Sequence, residues 1–202
     1  MTKYFIHIIF LVLFLASCKQ DKKTYDFDRI EIVEYYWDYT KQIHGDHILR
    51  GAFYAAIENN GDCKVVVNSG GISQFRIFQI PDSVLIELLD NLSKIPDDTT
   101  IHPAFDKPII YDGPEVSFIY SSRNIKKRVT FLDDYEFSEP NCHKFYKFIK
   151  LYQTSNNRTF TDTNEMKNLR MKRLESIYDD WYQFIKSNFD STIIRPKNRK
   201  II

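Results

Sequence analysis

The sequence predicts an α+β fold: an antiparallel sheet of about five to six strands, covered on one face by two to three helices, the longest C-terminal. Three observations carry that expectation. Asn59-Asn60-Gly61-Asp62 separates two apolar runs, and Asn-Gly in that setting marks a β-hairpin because both residues tolerate positive φ. Three later segments repeat apolar residues at spacings of three and four, the pattern of one-sided helices. Most strand-like segments follow one another through short turns, whereas a parallel sheet would need a helix between each pair.

Taken in order, residues 30–39 (IEIVEYYWDY) are rich in β-branched and aromatic types, without Gly or Pro, and read as a strand. Residues 41–49 read as a loop, and 52–57 and 63–67 as the two arms of the hairpin. Ser69-Gly70-Gly71 breaks the chain before a strand at 75–80 (FRIFQI). Pro81-Asp82 opens a helix with Asp82 as N-cap, and its apolar stripe is Leu85, Leu88, Leu89, Leu92 and Ile95. A loop over 96–107 follows, then strands at 116–120 and 125–132 joined by Ser-Ser-Arg-Asn, with a short strand at 109–111 as an optional addition. Ser138 is placed to cap a second helix reaching Tyr152, with the stripe Cys142, Phe145, Ile149 and Tyr152. Asp162 and Glu165 fit a capping box for a third helix over 163–189, whose stripe is Met166, Leu169, Leu174, Ile177, Tyr178, Trp181 and Ile185. The expected organisation is a leader at 1–17, a polar tether at 18–26, one domain at 27–189 and a basic, solvated tail at 190–202.

The leader carries the most specific motif in the chain. Lys3 precedes an apolar run over 5–15, interrupted only by His7, that ends in Leu15-Ala16-Ser17-Cys18 and switches at once to Lys19-Gln20-Asp21-Lys22-Lys23. The run falls well short of the roughly 20 residues that span a bilayer. This segment resembles the lipobox of bacterial lipoproteins. The resemblance implies cleavage between Ser17 and Cys18, a diacylglycerol on the Cys18 thiol and acylation of the new amino terminus. Several acyl chains on one residue hold a protein on a membrane almost permanently, whereas one chain anchors only marginally. Lys19 stands where the Asp that retains lipoproteins in the inner membrane would be, so the resemblance implies the outer membrane, on either face. Over residues 51–152 the order of hairpin, strand, capped helix and a strand pair preceded by Asp112-Gly113-Pro114 resembles small α+β lipoprotein domains that carry no assigned activity.

Charge points the same way. Lys plus Arg number 28 against 27 Asp plus Glu, so the chain has no basic field and nucleic acid is not an expected partner. Losing Lys3 with the leader leaves 27 of each sign on the mature chain. Arg195, Lys197, Arg199 and Lys200 make the tail basic, a composition suited to anionic headgroups.

Four candidate constellations remain. Cys63 and Cys142 both point toward the presumed core, where they either form a disulfide or stay as buried thiols. His44-Gly45-Asp46-His47 has a His-x-x-His spacing suited to Zn²⁺, with Asp46 able to complete or orient the set, and otherwise reads as a solvated loop; His102 and His143 are remote partners. Asp97-Asp98 and Asp133-Asp134 flank element ends, where Asp serves turns as readily as catalysis or Ca²⁺. Tyr35, Trp37 and Tyr39 share one face of a strand and are offered either as a glycan- or partner-binding surface or as core. No nucleophile elbow, Walker loop or local cysteine-protease signature is present. The combined expectation is a membrane-anchored envelope lipoprotein acting as a non-enzymatic protein-binding module, for example an immunity protein. It needs no cofactor, and its partners are the bilayer through acylated Cys18 and a protein of the envelope. A cell-surface glycan-binding module or a metal-dependent hydrolase is the alternative.

Overall fold

A computed structural model describes residues 23–38, 48–69, 72–96, 100–101, 113–132, 140–155, 163–188 and 200–201. The strands are β1 (Arg29–Asp38), β2 (Ile48–Glu58), β3 (Asp62–Ser69), β4 (Ile72–Gln79), β5 (Thr100–Ile101), β6 (Glu115–Ser122), β7 (Ile125–Leu132) and β8 (Lys200–Ile201). The helices are α1 (Asp82–Ser93), α2 (Pro140–Ser155) and α3 (Asn164–Asn188). The fold is α+β, as expected, with six strands in antiparallel order β4-β3-β2-β1-β6-β7. Two short strands pair in parallel, β5 with β7 and β8 with β2.

Consecutive strands β1 to β4 form a meander, and β6 then joins the free side of β1. That placement makes β1 a central strand, flanked by β2 and β6 and covered above and below. Ile30 and Ile32 point into one apolar cluster, and Val33 and Tyr35 point into another. The first cluster gathers Phe53, Ala55, Ile57, Val116, Phe118 and Phe131 under α1 (Leu85, Leu88, Leu92) and α2 (Phe145, Tyr146, Ile149). The second gathers Leu49, Tyr54, Ala56 and Val66 under α3 (Met166, Leu174, Ile177, Tyr178). The helices therefore lie on both faces rather than one. A central strand with large apolar residues at odd and even positions can satisfy both sides only between two layers.

A one-residue bulge in β2 fits the strand to both layers. Glu34 pairs with Phe53 but Tyr35 pairs with Gly51, so Ala52 has no partner in β1. Strand side chains alternate with period two, so the extra residue flips the parity of β2. Odd residues Phe53, Ala55 and Ile57 face α1 and α2, whereas odd residues Leu49 and Gly51 face α3. At Gly51 a Cβ would sit 2.8 Å from Leu174 Cδ1 and 3.1 Å from Arg170 Nε, so glycine lets α3 approach the strand. Beyond the bulge β3 no longer pairs with β2, and β8 pairs with Ile48 and Leu49 instead. The expected loop over 41–49 thus ends earlier, because Ile48 and Leu49 are strand, and Lys200–Ile201 of the expected solvated tail are in the sheet.

Local signals were met with adjustments. The hairpin between β2 and β3 turns at 59–61, but only Gly61 has positive φ (81°), with its N–H donating to Glu58 O at 2.8 Å. Asn60 Oδ1 accepts from Asp62 N–H at 2.9 Å, so the asparagine works as an Asx turn rather than through its own left-handed conformation. Pro81, not Asp82, occupies the cap position of α1, and Pro81 O accepts from Val84 and Leu85 N–H. Asp82 instead places its charge in the first turn, where the helix dipole favours an acid. Helix α2 begins at Pro140, whose missing N–H costs nothing at a first helical position. Glu165 reaches Lys64 of β3 at 3.5 Å. Thr100–Ile101 form β5 within what reads as a loop. The expected helix cap Ser138, the optional strand at 109–111 and Asp162 lie outside the described residues.

Candidate functional site

Beneath α3 the sheet carries a seam of charged and hydroxyl groups. Glu31 projects from β1 and accepts from Tyr54 Oη at 2.6 Å and from the Arg173 guanidinium of α3. Its side chain is only 7% exposed, so the charge is stable there because both neighbours donate to it. Burial, followed by the Glu31 charge, pushes the Tyr54 phenol far above its ordinary range, which keeps it a donor. Toward β6 and β7, Tyr35 Oη donates to Glu115 Oε2 at 3.0 Å, and Arg128 donates to Ser117 Oγ at 3.2 Å and to Asp180 of α3. Ser117 and Thr130 hydroxyls lie 3.2 Å apart. Burial raises the Glu115 carboxyl above the usual carboxylate range, against the opposing effects of the Tyr35 hydrogen bond and of Arg128. Arg170 is buried beside Gly51, donating to its carbonyl at 3.4 Å, and burial lowers its pKa.

The opposite face also holds polar groups among its apolar residues. Glu34 accepts from Tyr146 Oη at 2.8 Å and from Lys150 Nζ at 3.0 Å, both of α2. Lys127 is buried and donates to Leu92 O at 2.9 Å and Ile95 O at 2.5 Å, closing the C-terminal end of α1. Glu31 and Glu34 project to opposite faces of one strand, so they do not form a carboxylate pair about a common substrate. Each ties one helix layer to the sheet.

On the outer surface, α1 and α2 diverge to leave a shallow groove. Val84, Leu88, Phe145 and Phe148 form its floor, and Glu87, Asn91, Asn141 and Lys144 form its rim. Lys144 Nζ lies 3.4 Å from Glu87 Oε1 across the rim. Both side chains are well exposed, so that pair contributes little to stability and its charges are available to a ligand.

The sequence-derived candidates fall in several places. Of the aromatic surface offered for glycan binding, Tyr35 is 3% exposed and belongs to the core beneath α3, and half-buried Trp37 packs against Tyr178 of α3, ring centroids 5.9 Å apart. Tyr36, on the other face, is 39% exposed, and Tyr39 lies outside the described residues. Cys63 and Cys142 are buried in one cluster without a disulfide, and burial alone raises the Cys63 thiol far above its ordinary value. The thiols therefore serve as small apolar groups rather than a bridge. His143 is buried edge-on to Phe131 at 5.5 Å. Leu15, Ala16, Ser17, Cys18, His44, Asp46, His47, His102 and both Asp pairs lie outside the described residues. Among the described residues no group of three His, Cys, Asp or Glu side chains is placed to hold a metal, and no helix is long and apolar enough to cross a membrane. The seam has no sequence signal beyond an acidic residue, Glu31, among the apolar neighbours of β1.

Comparison with known proteins adds no assignment: no protein-family model, no curated protein and no solved structure matches the chain.

Proposed function

We propose that this chain is a lipid-anchored protein of the bacterial envelope, held at Cys18, whose folded body binds another protein. The observation that carries the anchor is Leu15-Ala16-Ser17-Cys18 at the end of a short apolar run behind Lys3. The body supports the binding role through the α1/α2 groove, whose apolar floor and mixed-charge rim suit an amphipathic segment of a partner. The rim charges Glu87 and Lys144 are exposed and paired only loosely with each other across the groove, where a partner's charges can compete for them. An immunity protein is one concrete form of this role, with the partner a toxin that reaches the envelope.

Two experiments test the reading separately. Cys18→Ala expressed in a bacterial host should leave the chain unprocessed or released from membranes; lipid labelling that persists in this variant would remove the anchor. A photo-cross-linking residue at Asn91 or Lys144 of the membrane-bound chain should give one discrete heteromeric adduct. The adduct should weaken when Phe148 is replaced by Asp; a groove that yields no adduct above background would contradict the binding role.

A further inference from the structure

The chain joins the body at one end of the sheet, and earlier than the polar composition of 18–26 suggests. Phe27 is buried in the larger apolar cluster, and Tyr25 packs against it. Tyr25 N–H donates to Asn59 O at 2.8 Å and Asp28 N–H to Ser121 O at 2.9 Å, so backbone bonds fasten this segment. Lys23 Nζ lies 3.6 Å from Asp82 at the start of α1; both are exposed, so the pair marks position more than it adds stability. Strand register gathers several element ends at the same place. Arg29 opposes both Glu58 and Ser121, Asp62 opposes Gln79, and Ser122 opposes Ile125. The turns at 59–61 and 123–124 therefore form one near end, while Ile72 and Tyr36 sit toward the far end. Helix α1 crosses the near end. Ile80 N–H, just before it, donates to Gly61 O, and Lys127 of β7 reaches Leu92 O and Ile95 O at its other end. Helix α2 lies over the farther half, where it meets Glu34 and Phe131. At about 3.6 residues per turn, Ile86 falls on the flank of α1 turned away from Val84, Leu88 and Asn91 of the groove. That flank borders the near end, and Ile86 is 48% exposed on it.

We infer that this near end is the surface that meets the bilayer, with lipid headgroups as its partner and Ile86 at its border. The inference rests on the lipid anchor proposed above. Cys18 and Lys23 are five positions apart, a reach of at most about 18 Å for fully extended chain. Strand β4 has eight residues and runs roughly 23 Å from the near end to the far one. The tether is thus shorter than the sheet, and a body standing on its far end would carry Lys23 beyond reach of an acylated Cys18. The near end presents both signs of charge, with Lys23–Asp82 and Arg123–Asp26 as exposed pairs. Tether length, rather than a basic field, therefore sets the orientation, and the contact needs no anionic lipid. The α1/α2 groove lies on the opposite flank of α1, clear of the bilayer and open to a protein partner.

Fluorescence quenching by headgroups tests the orientation. Full chain extracted from membranes is placed in phosphatidylcholine vesicles that contain a phospholipid with a nitroxide on its headgroup. Single variants Ser83→Cys and Asn124→Cys put a fluorophore at the near end, and Tyr36→Cys and Ile72→Cys put one at the far end; all four positions are exposed. Cys63 and Cys142 are buried, so the introduced thiol takes the label. Strong quenching is expected at 83 and 124 and weak quenching at 36 and 72. Inserting about twenty Gly and Ser residues between Gln20 and Asp21 makes the tether longer than the sheet, and the difference should be lost. A chain that fails to bind the vesicles removes the anchor, and the orientation with it. A bound, acylated chain quenched equally at both ends, or more at 36 and 72, overturns the orientation alone. A difference that the insertion leaves intact overturns it too.

Discussion

The two faces of the sheet solve the same problem with different chemistry. Under α1 and α2 the contact is chiefly a large apolar cluster, with rings such as Phe53–Tyr146 and Phe118–Phe145 meeting edge to face, to which Glu34 and Lys127 add polar ties. Under α3 the apolar cluster is smaller, and the helix is also attached by Arg173 to Glu31, Asp180 to Arg128 and Glu165 to Lys64. Apolar burial is non-directional and scales with area, so the first face supplies most of the cohesion. Hydrogen-bonded charge pairs add less net stability but specify position, since a buried charge without its partner is strongly unfavourable. The molecule therefore has a core layer that determines whether it folds and a second layer whose seating depends on a few polar contacts.

The largest expected effect lies on the apolar face. Phe118 is 1% exposed and central to that cluster, so Phe118→Ala should cost roughly 3–5 kcal/mol and lower the whole unfolding transition in urea. If the loss appeared only in α3, the division between the faces would be wrong.

A smaller and more local effect is expected from Arg173→Ala, which leaves Glu31 buried with the Tyr54 hydroxyl donating to it. Because Arg173 is 30% exposed, the cost should be about 2 kcal/mol, below that of a fully enclosed pair. Glu31→Gln in the same chain should recover part of it by removing the stranded charge. Amide exchange should accelerate in α3 before β1 or α2, and uniform acceleration would contradict a separately seated layer.

Glu115 gives the smallest effect, with a defined sign. Its carboxyl is raised on folding, so its contribution to stability is complete at pH values below the unfolded carboxylate pKa and is lost as pH climbs through the raised folded value. Glu115→Gln should flatten the stability profile in that window, just above the ordinary carboxylate range. A wild-type profile that rises through the same window would show that the Tyr35 hydrogen bond and Arg128 outweigh burial.

Local signals in the sequence were dependable where one residue type determines geometry: Gly61 for the turn, Pro81-Asp82 for the start of α1, and stripes at three and four for the helices. The stripe of α3 correctly included Met166, Leu174, Ile177 and Tyr178, but Arg170 and Tyr182 are buried beside them. An arginine in a stripe reads as polar, although its stem packs like an apolar chain. Layering was not legible, because it depends on the bulge at Ala52 and on β1 becoming central only when β6 joins it from a distance of about 80 residues along the chain. The aromatic run at 35–37 was ambiguous for the same reason. Large residues at odd and even positions fit either an exposed binding face or a second helix layer, and α3 supplies the layer.

The lipid tether proposed at Cys18 is tested most directly by the mass of the amino-terminal peptide. In chain extracted from membranes, the first peptide should begin at Cys18 and carry the mass of a diacylglycerol with a further acyl chain. An uncleaved leader, or a Cys18 without lipid, would contradict it.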